Sequence, residues 1–437
     1  MKRDYMGFTR DTARDRLPSL ITFWRLPVKR IRFGVVIGLG LAIVGVLPVV
    51  MRADAPAEPT PTFAKDVAPI FYSRCIECHR PTMFAPMSLV KYDEARPWAR
   101  AIKQRVAART MPPWGADPTH GVFKNDPRLS DKEIATILAW VDGGSPRGDD
   151  ADLPVPPTFV DGWTIGKPDM VFAMTESYAV PASGEIPYQY LRIPTNLTDE
   201  RWIQAIEIRP SARAHVHHVL AYTQPAGQPM GAGGALGPGN IGGVTPNKPG
   251  VVFPPGVARR LAPNSDIVLQ MHYTTNGEAA TDLTEVAVIF AKEPPARQQM
   301  GGMALNPRFV IPAGAPSHEV RGSRVLANDT LVTSFTPHMH VRGKDMTYTA
   351  RFPDGKTETL LSVPRYDFNW QITYELPEPR LFPKGTEIEV VAHYDNSPGN
   401  KANPDPTKDV RWGDQTWEEM MIGFWGTVVD RAPHREH

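Results

Sequence analysis

The chain has 437 residues, a net charge of +1, 46 prolines, 35 glycines and two cysteines. At about 150 residues per domain the length suggests roughly three domains, and the near-neutral charge, with no clustered basic face, gives no support for a nucleic-acid partner. Hydrophobic content of 41% with 9% aromatics argues against disorder, and a Pro- and Gly-rich chain with many short alternating segments reads as β-sandwich material with long loops. The N-terminus reads as a targeting element. Residues 1–32 hold nine Lys/Arg against three Asp, and Phe33–Met51 is an uncharged, mostly apolar run. Such a run is long for a signal-peptide core and just long enough to span a bilayer. Ala53-Asp54-Ala55 offers a small-x-small cleavage site, so the segment is either cleaved or kept as a membrane anchor. Residues 1–55 are therefore assigned as a cytoplasmic basic segment plus a signal or anchor helix, and everything after about residue 56 is expected outside the cytoplasm, in the periplasm.

After a Pro-rich tether at 57–62, Phe63 to Arg74 reads as helix and leads into Cys75-Ile76-Glu77-Cys78-His79, which holds both cysteines of the chain. C-x-x-C-H is a c-type haem attachment pattern: two thiolates form thioethers to the porphyrin and the adjacent His ligates iron. A redox C-x-x-C of the thioredoxin kind needs a βαβ context, which is missing, and has no use for the His. A second helix is expected from Pro97, with Trp98, Ile102 and Val106 on one face. The third follows the capping box Ser130-Asp131-Lys132-Glu133, has Ile134, Ile137, Leu138 and Val141 at helical spacing, and ends at Gly143-Gly144. The sixth haem ligand is expected to be Met111, in the rigid Thr-Met-Pro-Pro-Trp114 stretch. Met87 is its rival, a short reach from Cys78 around a porphyrin.

Asp152 to Pro157 reads as a linker, and helical periodicity nearly vanishes from residue 158 on. Ile388, Val390 and Ala392 alternate as a half-buried strand, and Met346, Tyr348, Ala350 and Phe352 alternate before a Pro353-Asp354-Gly355 hairpin turn. Gly227 to Gly250 reads as a bland Gly/Pro-rich linker without a phosphate signature. The histidines are clustered. Arg213-Ala-His215-Val-His217-His218, Met271-His272-Tyr273 and His338-Met339-His340 lie in strand-like runs. Imidazole-rich sets without carboxylate or cysteine partners suit copper or zinc, and His338 and His340, at i and i+2, share a strand face. Isolated His120, His318 and His393 read as surface or hydrogen-bonded core.

Three short helices around C-x-x-C-H resemble a class I cytochrome c domain, covering about 60–150. The remainder, over roughly 165–430, resembles the copper type II, ascorbate-dependent monooxygenases, which include the peptide-amidating and dopamine-hydroxylating enzymes. The resemblance implies two jelly-roll-like β-sandwich domains, at 158–300 and 301–430. It also implies two copper ions: one held by His217, His218 and His272, the other by His338, His340 and Met420 in Trp417-Glu-Glu-Met-Met421. Met420 rather than Met421 follows the family's acid–Met pattern. Strand geometry alone would pair His215 with His217, so use of the adjacent His217–His218 pair requires a twist or bulge. The peptide-amidating members clamp a substrate carboxylate with Arg, Asn and Tyr. Thr336, Ile422 and Phe424 stand here instead, so peptide amidation is not expected.

The expected fold is thus a small all-α cytochrome c domain followed by two all-β jelly-roll-like sandwiches. The expected activity is hydroxylation of a C–H bond of a small organic substrate with O₂, at the copper held by His338, His340 and Met420. Covalent haem c and two coppers are the cofactors, and electrons come from a redox protein or an ascorbate-like reductant through the haem. The membrane is a partner only through an uncleaved N-terminal helix. The competing reading is a non-catalytic haem and copper electron-transfer or copper-binding protein.

Overall fold

The computed structural model describes residues 59–81, 83, 85, 87–159, 162–230, 239–244 and 250–431; the basic segment and apolar run assigned to targeting lie outside them. Among the described residues no helix is long and apolar enough to cross a membrane. The first helical stretch opens at Thr62, whose side chain accepts the Lys65 N–H, and runs from Phe63–Val67 into Ala68–Arg74 before the Cys75–Cys78 turn. Ser130 and Glu133 form the expected capping box on Asp131–Asp142. The second helix departs from expectation. It begins at Tyr92–Ala95, tightens to a 3₁₀ turn at Arg96–Trp98, where Pro97 lacks an N–H, and continues as Ala99–Ala107. Small Ala95 and Ala99 join Ile102 and Val106 on the buried face, which turns Trp98 out to 42% exposure. Phe63, Phe71, Ile137 and Trp140 make the centre of this helical core, and each side chain of that size contributes roughly 2–3 kcal/mol by burial.

From Met170 on, the described chain is almost entirely β. A nine-stranded sheet runs in the order Met170–Ala173, Glu285–Phe290, Arg201–Arg209, Val257–Leu261, Arg297–Leu305, Ile422–Asp430, Thr330–His338, Tyr374–Phe382, with Gly250–Val252 added beside Arg201–Arg209. Two four-stranded sheets pack on it. Gln189–Pro194, Ser265–Tyr273, Val216–Pro225 and Asn240–Val244 share one core with its first half, built on Ile203, Ile206, Val219, Ile267 and Val286. His318–Val325, Glu387–Tyr394, Gly343–Arg351 and Thr357–Val363 share another with its second half, built on Val332, Phe335, Met346, Tyr348 and Ile388. The expected alternation is present: Ile388, Val390 and Ala392 are all fully buried, and Gly355 takes φ +87° in the hairpin turn. Asn240–Val244 pairs as a strand with Val216–Pro225, so the stretch expected to be bland linker contains part of a sheet.

The two sandwiches are one continuous structure. Arg297–Leu305 pairs in parallel with Val257–Leu261 at Arg297↔Val257 and antiparallel with Ile422–Asp430 along its whole length. Within it Gly302 lies under Trp425, where a Cβ would come 2.2 Å from the indole nitrogen. The helical part is stitched to the second sandwich as well. After the helix at Ala99–Ala107 the chain runs along that sandwich: Asp117 N–H donates to Ser362 O at 2.8 Å, Lys124 N–H to Glu375 O at 2.9 Å, and Asn125 Nδ2 to Thr373 O at 2.7 Å. Trp114, Ala116 and Phe123 belong to the second sandwich's core rather than to the helical core. Phe123→Ala is expected to cost about 3 kcal/mol by leaving a cavity beside Trp114 and Tyr374. Thermal melting and limited proteolysis around residues 110–126 check this; an unchanged melting temperature would show the segment to be loosely laid.

Candidate metal centre

A register shift makes the first histidine cluster. Val216–Pro225 pairs with Ser265–Tyr273 at Val216↔Tyr273 and then at His218↔His272, with the irregularity between Val216 and His218. His217 is the extra residue, and the bulge swings its ring to the side occupied by His218 and His272. The ligand atoms of His217, His218 and His272 all lie within 4.8 Å of one another. The Nδ1 atoms of His217 and His218 are 3.0 Å apart, a separation at which two imidazoles share either a proton or a cation. His215 turns away and places Nε2 3.1 Å from Glu278 O.

The second cluster stands at the end of Thr330–His338. The His338 and His340 rings are 5.3 Å apart at 89°. His340 Nδ1 lies 3.2 Å from Glu418 O, and a carbonyl only accepts, so Nδ1 carries the proton and Nε2 keeps its lone pair. Beneath it, buried Glu419 accepts the backbone N–H groups of His340 at 2.8 Å and Arg342 at 2.7 Å. Arg342 in turn donates to Asn396 Oδ1 and Trp417 O. Of the neighbouring methionines, Met421 is part of the second sandwich's core and Met420 is not; successive residues in extended chain point oppositely. Thr336 bonds Thr373 at 2.9 Å, Ile422 is buried opposite His338, and Phe424 lies 6.1 Å from the His338 ring.

The clusters meet across the loop Tyr366–Gln371, which sequence reasoning did not single out because it contains no metal-ligand residue type apart from Asp367. Tyr366 Oη bonds both the carbonyl and the N–H of Met339, fixing the residue between the two histidines. Phe368 stacks on His217 at 5.2 Å and 16°, and its ring lies 5.7 Å from His272 and 5.9 Å from His340. Gln371 accepts from His338 Nδ1 at 3.0 Å with Oε1 and reaches His218 Nδ1 at 3.3 Å with Nε2. Its φ of +40° is a left-handed conformation that a non-glycine residue holds only under constraint, and here the amide between two imidazoles supplies it. Tyr188 closes another side, its ring 4.9 Å from His272 and 6.5 Å from His340. Five imidazoles therefore form one cluster rather than two isolated ones.

Burial pushes these histidines down: His217 and His338 to about 4, His272 and His340 to about 3, and His218 well below its ordinary value. They are neutral at pH 7, the form in which imidazole binds a metal. Buried His217 Nε2, His272 Nδ1 and His340 Nε2 have no hydrogen-bond partner in the protein. Orphaned, desolvated lone pairs on neutral imidazoles are what a transition-metal ion would satisfy. At the helical end, burial pushes the Cys75 thiol up to about 12 and the Cys78 thiol up to about 11, the reverse of a reactive redox thiolate. His79 Nδ1 faces Met87 O at 3.2 Å, which fixes the proton there and leaves Nε2 open. Met111 is half-buried in the extended stretch before Trp114. The Arg213 guanidinium acts on both the Cys78 sulfur and the His217 ring, so the Cys75–His79 turn and the first histidine cluster flank one charge. His393, read as an isolated histidine, bonds Asp345 at 2.6 Å away from both sites.

No family description matches the chain, and no curated protein matches it. Among solved structures, the chain is similar to the major capsid protein P2 from bacteriophage PM2, with 10% identity, TM-score 0.25, 52% of this chain and 97% of that one covered. Infectious bursal disease virus, Gx strain, gives 10% identity and TM-score 0.18 over 61% of this chain and 73% of that one. An allantoicase gives 11% and 0.17 over 57% and 80%. At these scores the likenesses carry no argument about what the chain does.

Because the folded chain holds its histidines neutral while the unfolded chain protonates them near pH 6.5, unfolding takes up protons below that pH. The metal-free protein is thus expected to lose about 3 kcal/mol or more of stability as pH falls from 6.5 towards 4. Urea midpoints across that range measure it, and a flat profile contradicts the buried, neutral cluster. Glu419→Gln replaces an acceptor by a donor against a backbone N–H and is expected to cost about 2 kcal/mol, read as a lowered melting temperature.

Proposed function

We propose that the chain is an exported haem- and copper-containing monooxygenase that hydroxylates a C–H bond of an organic substrate. The observation carrying this reading is the convergence of five neutral imidazoles from two sandwiches, three of them buried, several with ring nitrogens that no protein group satisfies. Two coppers fit this donor set: one on His217, His218 and His272, one on His338, His340 and Met420, whose soft thioether favours the reduced metal. Bound copper would supply one-electron redox chemistry toward O₂, and covalent haem on Cys75 and Cys78, ligated by His79 and Met111, would supply a one-electron relay.

The protein's own contribution is orientation and exclusion. Gln371 fixes the His338 tautomer so that Nε2 faces the site, and Glu418 O does the same for His340. Phe368 and Tyr188 cover the cluster with rings and keep water off it. Glu419 and Tyr366 hold the backbone of the His338–His340 pair. Thr336, Ile422 and Phe424 offer no charge for a substrate carboxylate. Arg213 acts on both Cys78 and His217, which supports passage of electrons between the haem turn and the first cluster.

Two coppers per purified chain are expected by metal analysis. His272→Ala is expected to remove one and Met420→Ala to weaken the other; zinc at full occupancy in both sites would overturn the assignment. O₂ uptake with a reductant separates a monooxygenase from a copper protein that only passes electrons. A Cys75→Ala/Cys78→Ala protein should lose turnover driven by a protein donor and keep turnover driven by ascorbate. Equal loss with both donors would make the helical domain structural.

A further inference from the structure

On the far side of the Tyr366–Gln371 loop from the histidines lies a cleft of about 380 Å³, within the size range of small-molecule sites. One wall is the second sandwich and this loop; the other is the segment Arg109–Gly115, which leads from the helices onto that sandwich, whereas no residue of the Cys75–His79 turn lines it. Phe368 and Gln371 are shared walls, lining the cleft while touching His217 and His338. Pro337, next to His338 in the chain, lines it too. The cleft therefore ends against the residues that surround the proposed metal centre.

The lining chemistry narrows what fits. Trp114, Tyr366, Phe368, Trp370 and Tyr374 present five aromatic rings, with Trp114 and Tyr374 in edge contact at 4.7 Å. Charges stay at the exposed rim. Arg109 is taken by Asp131 at 2.6 Å, Asp367 accepts the Asn369 N–H at 2.9 Å, and Arg365 is exposed. A charged ligand drawn inside would be desolvated without a buried counter-charge, at a cost of several kcal/mol. Trp114 is only 9% exposed and its indole N–H is sealed from the cleft, so what it offers a ligand is ring surface and not a donor.

We propose that this cleft binds the substrate, and that the substrate is an uncharged, flat aromatic molecule. The segment that leads from the helices onto the second sandwich supplies one wall, so it takes part in selecting the substrate. That the bound molecule is the one hydroxylated rests on the monooxygenase reading; the binding itself does not.

Three probes separate the features in the full-length holoprotein: acetophenone, cyclohexyl methyl ketone, which loses the flat ring, and benzoate, which keeps the ring and adds a charge. Calorimetry or saturation-transfer NMR is expected to rank acetophenone at least about five-fold tighter than either. Trp370→Ala is expected to weaken acetophenone about five-fold. Ala402→Trp, at an exposed rim position that tolerates bulk, is expected to abolish binding of all three. Copper content, measured for each variant, should stay at the wild-type value. Equal binding of the two ketones, no binding of acetophenone, or acetophenone binding untouched by Ala402→Trp would each overturn the proposal. A chain without copper that still ranks the probes as expected would overturn the monooxygenase reading and leave the cleft standing.

Discussion

Everything at the centre of this molecule depends on keeping five imidazoles uncharged and close together between two sandwiches. Neutrality follows from burial, and neighbours fix where most of the protons sit: His338 Nδ1 donates to Gln371, His340 Nδ1 to Glu418 O, and one proton lies between the facing Nδ1 atoms of His217 and His218. Proximity follows from a shared sheet. Arg297–Leu305 belongs to both halves through its pairings with Val257–Leu261 and Ile422–Asp430, so the halves keep one relative position as long as that sheet persists. A hinge between two separate sandwiches would leave the distance between His272 and His340 free to vary.

The polar groups around the cluster form a chain of support with little redundancy. Glu419 carries the backbone of His340 and Arg342, Arg342 carries Trp417 and Asn396, and Asn396 carries Pro312 and Lys408. Burial pushes the Glu419 carboxyl up to about 8, against the N–H donors that favour its charge. Networks of this kind specify one geometry when complete and lose it when one member is removed. Gln371 shows the same logic in its backbone, held at positive φ by its side-chain partners.

Much of this was legible from residue order. Ser130 and Glu133 announced their helix, the alternation at 346–352 and 388–392 announced strands, and the histidine runs announced side chains that the fold gathers, at His217, His218 and His272, into a group able to hold a metal ion. Other features were not legible, for identifiable physical reasons. Trp98 was expected on the face of Ile102 and Val106 by helical spacing, but the small faces of Ala95 and Ala99 made the closer packing. The bulge at His217 depends on register, which a single strand does not encode. Tyr366, Phe368 and Gln371 act through position rather than residue type, so nothing in their identities pointed to histidines more than 25 residues away in the chain.

The segment from Trp114 to Asn125 has a consequence for the history of each molecule as it is made. Its hydrogen bonds go to Ser362, Thr373 and Glu375, so Asn125 and Glu375 are separated by 250 positions when they pair. During synthesis the helical part can close its own core around Trp140 long before those partners exist. Trp114 and Phe123 must meanwhile wait in the open, two large rings on an unpaired strand-like stretch. Closure of such a distant contact comes late and slowly, and in that interval the stretch is exposed to any chaperone that recognises unburied aromatic side chains. The last strand to be made, Ile422–Asp430, completes the sheet on which the second sandwich is built, and only then is there a finished surface to receive the earlier segment.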